Sequence, residues 1–132
     1  MKFLLDSNAV IALMKSDANV VAGLRRHRPE DFALPSIVAH ELYFGAYKGR
    51  AVTENLARVE ALQFEVLDFD REDARRSGEV RAALALAGVP IGAYDVLIAG
   101  QALARALVLI THNTAEFRRV PGLKLEDWQV AA

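Results

Sequence analysis

Short apolar runs bounded by polar or turn residues recur along this chain. Uninterrupted runs of this kind are typical of strands buried on both faces of a parallel sheet. They predict five strands: Lys2 to Leu5, Phe32 to Leu34, Phe64 to Leu67, Leu107 to Ile110, and one around Leu123 to Leu125.

Between the strands, apolar residues recur at helical spacing and are flanked by capping and stop signals. They predict six helices: Asn8 to Lys15, Val20 to Arg28, the N-cap Ser36 to about Lys48, Glu54 to Leu62, Arg71 to Ala87 after a capping box of Asp70 with Asp73, and Tyr94 to Ala106. Asp6, Ser7 or Asn8 can each cap the first helix. Strands separated by helices predict an α/β fold, in which a parallel sheet carries helices on both faces.

Ligands of such sheets bind at the carboxyl ends of strands, where the strand order reverses. Asp6 follows the first strand directly, and Thr111-His112-Asn113 follows the strand Leu107 to Ile110. We therefore expect two polar clusters on one edge of the sheet.

Composition narrows the classes of function. A chain of 132 residues that is 53% hydrophobic fits a single domain with its own core. The absence of cysteine excludes disulfides and thiolate metal sites and agrees with a reducing cytoplasm. With a net charge of −1, a polyanion must be bound by a local patch or through cations. The first apolar run ends too early for a signal peptide, and the stretch Val96 to Val108 is too short to span a bilayer, so we expect a soluble domain.

Four acids lie beside strongly apolar segments: Asp6, Glu41, Asp95 and Glu116. A carboxylate beside buried hydrocarbon is costly unless something pairs with it, and several such acids indicate a shared cation. Asp95 is the strongest single candidate, because it opens the most hydrophobic helix. The dipole of that helix should also keep its carboxylate ionised.

Each acid also has an ordinary structural interpretation. Asp6 can serve as an N-cap, and Asp95 as a first-turn acid that complements the helix dipole. Glu41 shares a helix face with Val38 and Gly45 but can face solvent, as most helical glutamates do. Glu116 can lie in the first turn of a short helix that follows an Asx turn.

The remaining polar residues point to no other chemistry. Glu72, Asp73 and Glu79 share a helix with several arginines, which predicts a solvated charged face. The three histidines lack the spacing of a zinc site, and neither a glycine-rich phosphate loop nor a nucleophile elbow is present.

Five sequence blocks, in their order and spacing, resemble a PIN-domain ribonuclease, specifically a VapC-type toxin of a prokaryotic toxin–antitoxin pair. The blocks are Leu5-Asp6-Ser7-Asn8, Ser36-Ile37-Val38-Ala39-His40-Glu41-Leu42, Pro90-Ile91-Gly92-Ala93-Tyr94-Asp95-Val96-Leu97-Ile98-Ala99, Thr111-His112-Asn113-Thr114-Ala115-Glu116-Phe117 and Val120-Pro121-Gly122-Leu123-Lys124-Leu125-Glu126-Asp127-Trp128. The resemblance covers nearly the whole chain and implies one PIN-like three-layer α/β/α domain over residues 1–132.

The resemblance implies an endoribonuclease that hydrolyses RNA phosphodiester bonds with metal-activated water. The family's acidic residues fall on Asp6, Glu41, Asp95 and Glu116, where they coordinate Mg²⁺ or Mn²⁺. Many PIN domains carry an aspartate where this chain has Asn113, so Asn113, Glu116 or both can support the metal. Ser7 is a further candidate for site support. Carboxylate oxygens suit such hard cations, and either one or two ions fit four acids.

The resemblance also implies a homodimer and a cognate antitoxin whose segment lies in an apolar groove, with an antitoxin arginine reaching the acids. Tyr43 and Tyr47, opposite Glu41, and Leu13 and Met14 are candidate partner contacts, although aromatic stripes more often belong to a core. Candidate RNA contacts share positive charge, with a solvated face as the alternative: Lys48, Arg50, Arg118 and Arg119.

Two other classes compete with the nuclease. A receiver-like signalling domain is also a small parallel sheet with an acid after its first strand. Asp68 or Asp70 would then accept phosphate, although Lys124 is poorly placed to assist. The other class is a catalytically inactive PIN-type binding module.

Overall fold

Five parallel strands form one central sheet in the computed structural model, which describes residues 1–130. The strands are β1 (Phe3–Leu5), β2 (Phe32–Pro35), β3 (Glu65–Leu67), β4 (Val108–Ile110) and β5 (Leu125–Glu126). Their order is β3-β2-β1-β4-β5, and every neighbouring pair is parallel. The predicted α/β class is confirmed, and the strand order reverses between β1 and β4.

The six predicted helices are all present, and a short seventh follows β4. The helices are α1 (Ser7–Met14), α2 (Ala18–Arg25), α3 (Ser36–Lys48), α4 (Val52–Glu60), α5 (Arg71–Leu86), α6 (Ala93–Ala104) and α7 (Thr114–Phe117), with a 3₁₀ turn at Pro29–Asp31. None of the helices in residues 1–130 combines the length and apolar character needed to cross a membrane. The predicted domain extends to Ala131 and Ala132, which lie outside the described residues.

The central strands β1, β2 and β4 lie in the hydrophobic core. Leu4, Ala33 and Leu109 are fully buried, whereas the edge strand β3 exposes Glu65 and Val66. Burial on both faces explains the continuous apolar runs by which the strands were predicted. The residues that follow β1 and β4 are consequently attached to the most rigid part of the sheet.

The predicted N-cap of α3 is wrong. Pro35 occupies the cap position, and Ser36 is the first helical residue, with no side-chain capping bond at this end. Pro35 still pairs with Leu67 in the sheet, so the chain passes from β2 into α3 without a loop. The residue that caps a helix has an extended backbone. Here Pro35 is that extended residue, and Ser36 already belongs to the helix.

The sequence predicted that Asp73 lies on a solvated helix face, and this prediction is wrong. The capping box with Asp70 is confirmed, because each residue's backbone N–H donates to the other's carboxylate. The Asp73 side chain is nevertheless only 1% exposed, since Arg105 Nη2 and Gln101 Nε2 of the α6 region each donate to its Oδ2 at 3.0 Å. Burial opposes ionisation, but these donors hold the pKa of Asp73 below its ordinary value.

Helix α6, which carries Asp95, packs closely against α5. Gly100 faces Ser77, and a Cβ at position 100 would lie 2.6 Å from the Ser77 Cα. The Ser77 hydroxyl is bound to the Asp73 carbonyl at 2.7 Å, so it has a fixed place. The absence of a side chain at Gly100 therefore sets how close the two helices lie.

Gly100→Ala should destabilise the protein by about 1–3 kcal/mol, because the added methyl group forces the helices apart. Gly78→Ala is the matched control, since a Cβ there meets nothing within 4 Å and alanine favours a helix by up to about 1 kcal/mol. Urea unfolding followed by the fluorescence of Trp128 measures both. Equal effects of the two substitutions would contradict the close packing at Gly100.

Candidate active site

Asp6 joins the end of β1 to the start of α1. Its backbone N–H donates to the carbonyl of Ile110, which extends the pairing of β1 with β4. Its Oδ1 accepts from the Ser7 N–H at 2.8 Å, so Asp6 is the N-cap of α1. Its Oδ2 accepts from the Thr111 hydroxyl at 2.8 Å and from Asn8 Nδ2 at 3.2 Å. The cap therefore uses one oxygen, and the other faces the end of β4.

Burial raises the pKa of Asp6, while its bonds from Thr111, Ser7 and Asn8 oppose the rise. The side chain is 4% exposed. A carboxylate offers about four lone-pair sites, and these three donors leave room for a further partner. The cap and ligand interpretations of Asp6 are thus compatible.

Thr111 and Asn8 orient Asp6, a role that the sequence analysis missed. The Thr111 hydroxyl is buried, and it also accepts from the Asn113 N–H at 3.0 Å. Asn8 Oδ1 accepts from the His112 N–H at 2.9 Å and from Gln129 Nε2 at 3.4 Å. The available signal was a hydroxyl residue directly after a central strand, but its partner becomes evident only once β1 and β4 are known to be neighbours.

Glu41 lies on α3 next to the start of α1. The Ser7 hydroxyl donates to its Oε2 at 3.3 Å, which brings the predicted supporting residue Ser7 to this acid. Burial and the nearby charge of Asp6 both raise the pKa of Glu41. Val38, which shares a helix face with Glu41, is buried, while Tyr43 and Tyr47 on the other side are exposed.

Asp95 lies in the first turn of α6, and its carboxylate comes close to Gly92, where a Cβ would stand 3.1 Å from Oδ2. Burial, the charges of Asp6, Glu116 and Glu41, and a hydrogen bond with Glu116 raise the pKa of Asp95 to about 7. The helix dipole was expected to keep Asp95 ionised, but with this pKa the carboxyl is only partly ionised at neutral pH in the metal-free protein, because burial and like charges favour the protonated form. The same interactions bring all four predicted acids into one electrostatic cluster.

Glu116 and Asn113 approach this cluster from the end of β4. Glu116 lies in the first turn of α7, and Asn113 Nδ2 donates to its Oε2 at 3.4 Å. The short helix of the alternative interpretation is present, but no Asx turn precedes it: the Asn113 side chain makes no capping bond, and the Thr111 hydroxyl accepts the Asn113 N–H. Asn113 is thereby free to contact Glu116.

The four carboxylates, which we call the acidic cluster, fit a hard cation by donor chemistry. Oxygen ligands suit Mg²⁺ and Mn²⁺, and a bound cation would relieve the repulsion that raises the pKa of Asp95. Within residues 1–130, no three acidic, histidine or cysteine side chains are already gathered tightly enough to hold an ion. Metal binding would thus have to draw these side chains together.

The four predicted RNA contacts lie on the surface of the protein. Arg118, Arg50 and Lys48 are exposed, and Lys48 lies over the Phe44 ring. Arg119 donates to the carbonyl of Pro90 at 2.9 Å, which connects the end of α7 to the loop before α6.

The predicted partner contacts divide between two surfaces. An apolar groove of about 480 Å³ runs between α1, α3 and α4, and its walls include Ile11, Met14, Leu42 and Val59. Glu41 of the acidic cluster also lines it, so the groove leads to that cluster. Tyr43 and Tyr47 do not line this groove, and neither does Leu13.

The family model for the PIN domain matches residues 3–123. The chain belongs to the PIN-domain family. It is 41% identical to the tRNA(fMet)-specific endonuclease VapC of Salmonella typhimurium and 38% identical to the enzyme of that name from Shigella flexneri, in each case over 97% of this chain and 98% of the relative. The crystal structure of DNA-bound VapBC from Salmonella typhimurium superposes with a TM-score of 0.92 at 40% identity, covering 97% of this chain and 98% of that one.

Within the PIN family, the chain is a nuclease of the VapC group, and enzymes of this group are metal-dependent.

The receiver-like alternative is not supported. Receiver domains have the strand order 2-1-3-4-5, whereas this sheet runs β3-β2-β1-β4-β5. Asp68 and Asp70 follow an edge strand here, and Arg105 binds the Asp68 carbonyl and the Asp70 carboxylate. The inactive binding module is likewise unsupported, because the matching relatives are named endonucleases.

The raised pKa of Asp95 predicts that Asp95→Asn stabilises the metal-free protein at neutral pH. In the unfolded chain this carboxyl loses its proton near its ordinary pKa of 3.8, but in the folded chain only near 7. Between these values the unfolded state releases the proton first, so stability falls as pH rises. We expect a gain on the order of 1 kcal/mol at about pH 7.5 and none at about pH 4, after allowing for solvent screening of a half-buried group.

Urea unfolding in chelator, followed by Trp128 fluorescence, measures this effect. Glu72→Gln is the matched control, because Glu72 is an exposed acid that pairs with Arg75 on α5. An Asp95→Asn protein less stable than the parent at neutral pH would mean that the carboxylates are not in repulsive contact.

Proposed function

We propose that this chain is an endoribonuclease that uses Mg²⁺ or Mn²⁺ and acts as the toxin of a toxin–antitoxin pair in the cytoplasm. The acidic cluster carries the proposal: Asp6, Glu41, Asp95 and Glu116 are its metal ligands, and Ser7 and Asn113 support Glu41 and Glu116. Residues 1–132 form one domain in this proposal, which the match over residues 3–123 supports.

Asp6 is the fixed member of the ligand set, since three donors hold it. Burial and the nearby carboxylates of Asp6, Glu116 and Glu41 raise the pKa of Asp95 in the metal-free state, and a bound cation would lower it again. Bound Mg²⁺ or Mn²⁺ supplies the positive charge that activates water and neutralises the phosphate. Thr111 and Asn8 hold Asp6 in place throughout, so they are positioning residues.

The name of the Salmonella relative directs the choice of substrate. We propose initiator tRNA as the RNA that is cut. Arg118 and Lys48 are exposed on the surface and, with Arg50 and Arg119, supply the local positive charge that a chain of net charge −1 needs for RNA binding. Arg119 also holds the loop before α6 through Pro90.

Cleavage of an initiator tRNA transcript should require Mg²⁺ or Mn²⁺, cease with excess chelator and return when metal is restored. Asp95→Asn and Glu41→Gln should each reduce the cleavage rate by on the order of 100-fold or more, because each removes a ligand charge at constant size. Glu72→Gln should cleave like the parent, since Glu72 lies on α5 in a salt bridge with Arg75.

The chemistry of the product ends separates two mechanisms. Direct attack by water leaves no 2′,3′-cyclic phosphate, so such ends would contradict the proposed hydrolysis. Undiminished cleavage by the parent in chelator would contradict the use of a metal.

We propose that the apolar groove between α1, α3 and α4 binds a segment of the cognate antitoxin. The matching solved structures include VapBC from Salmonella typhimurium and a member of the VapBC family of toxin–antitoxin systems from Mycobacterium tuberculosis. Glu41 lines the groove, so a segment seated on Ile11, Met14 and Val59 can extend an arginine toward the carboxylates, to which a guanidinium binds in two-point fashion. Lys15 and Arg58 line the same groove, which favours a segment with acidic residues.

Gly45→Leu tests the groove without disturbing the core, since a Cβ at this groove-lining position meets nothing within 4 Å. The variant should still cleave RNA, but the co-expressed product of the neighbouring reading frame should inhibit it at least about 10-fold less. Gly78→Leu on α5 is the matched control, with equally open space. Growth arrest by each toxin, with and without the partner, gives a second measurement.

Partner inhibition that is equal for Gly45→Leu and Gly78→Leu would contradict the groove as the docking site.

We further propose a homodimer, with Tyr43, Tyr47 and Leu13 available for the contact and Met14 in the groove. A strictly monomeric protein in a size measurement would contradict the dimer alone.

A further inference from the structure

Two aromatic rings stand beside the acidic cluster, and the proposed chemistry uses neither. Tyr94 directly precedes Asp95 on α6, and His40 directly precedes Glu41 on α3. Their ring centroids lie 5.8 Å apart with the planes at 79°, which is an edge-to-face pair. Tyr94 is 52% exposed, and His40 is also exposed.

The exposed tyrosine borders a shallow recess of about 270 Å³ that two of the four acids share. Glu41 and Asp95 form part of its lining, and Gly92, Ala93 and Tyr94 form the rest. Gly92 and Ala93 have little or no side chain, so the recess is shallow beside Tyr94. The half-exposed ring of Tyr94 lies beside the carboxylates and is therefore available to a ligand that these acids help to bind.

We propose that Tyr94, held by His40, stacks on the unpaired nucleobase next to the scissile phosphodiester. This inference rests on the proposed ribonuclease function and specifies its base-binding subsite. Proteins bind unstacked RNA bases on aromatic side chains, and such stacking tolerates many bases because each has a π-face. Glu41 and Asp95 line the recess that Tyr94 borders, so an RNA phosphate bound near these acids would place its adjoining nucleotide beside the tyrosine.

The edge-to-face pair prepares Tyr94 for this task. The edge-to-face contact with His40 restricts the orientation of the tyrosine ring, while 52% of the Tyr94 surface stays accessible to a ligand. A protein partner is the competing occupant. The antitoxin groove, however, lies among α1, α3 and α4, and neither Tyr94 nor His40 lines it.

The test compares Tyr94→Leu with Tyr94→Phe, which keeps the ring. On an initiator tRNA transcript whose cleavage position has been mapped, Tyr94→Leu should lower kcat/KM about 10-fold or more, whereas Tyr94→Phe should remain within about 3-fold of the parent. Abasic substitution of the nucleotide on one side of the cleaved bond should lower kcat/KM of the parent to a similar extent. Tyr94→Leu should lose nothing further on that abasic RNA, because ring and base contribute one shared interaction.

Full sensitivity of Tyr94→Leu to the abasic substitution would overturn the stacking, as would an unchanged kcat/KM on intact RNA. Weakened antitoxin inhibition with unchanged cleavage would show instead that Tyr94 contacts a protein, and this also overturns it.

A binding measurement keeps the subsite separate from the nuclease. In the Asp6→Asn background, fluorescence anisotropy of a labelled single-stranded RNA with Mg²⁺ should show about 10-fold weaker binding when Tyr94→Leu is added. If the parent fails to cleave RNA but this difference persists, the proposed nuclease is wrong and the stacking stands. If Tyr94→Leu binds and cleaves like the parent, the nuclease stands and the stacking is wrong.

Discussion

The hydrogen bond between the Thr111 hydroxyl and the Asp6 carboxylate joins the ends of the two central strands. On either side of it, the Asp6 N–H pairs with Ile110, and Asn8 binds both the Thr111 hydroxyl and the His112 N–H. These contacts lie where the strand order reverses, which is the position at which open parallel sheets bind ligands. The other acids are arranged around a carboxylate whose position is already fixed.

The acidic cluster illustrates a balance between stability and chemistry. Its carboxylates repel one another in a partly desolvated setting, and the raised pKa of Asp95 expresses this cost. A core that buries β1, β2 and β4 can sustain the cost, because its apolar contacts do not depend on the ionisation of the site. The opposite sign of the shift at Asp73, where Arg105 supplies the counter-charge, shows what the cluster lacks until a cation arrives.

Local sequence signals predicted most of the fold, whereas errors arose where contacts between residues remote in sequence determine the environment of a side chain. The buried strands and the Asp70–Asp73 capping box depend on residues within a few positions, so the sequence predicted them well. Asp73 was misjudged because its partners Gln101 and Arg105 are remote in sequence. The acids themselves were recognisable as a set, but the orienting role of Thr111 and the raised pKa of Asp95 depend on the spatial arrangement of β1, β4 and α6.

The residues of the groove are synthesised earlier than several residues of the acidic cluster. Every residue that lines it comes from positions 7–59, whereas Asp95, Thr111 and Glu116 belong to the last third of the chain. Until β4 has been made, β1 lacks a neighbour on one side and Asp6 lacks Thr111. Translation therefore delivers the side chains of the proposed antitoxin groove before those that complete the acidic cluster, so the groove can be synthesised before the proposed active site is complete.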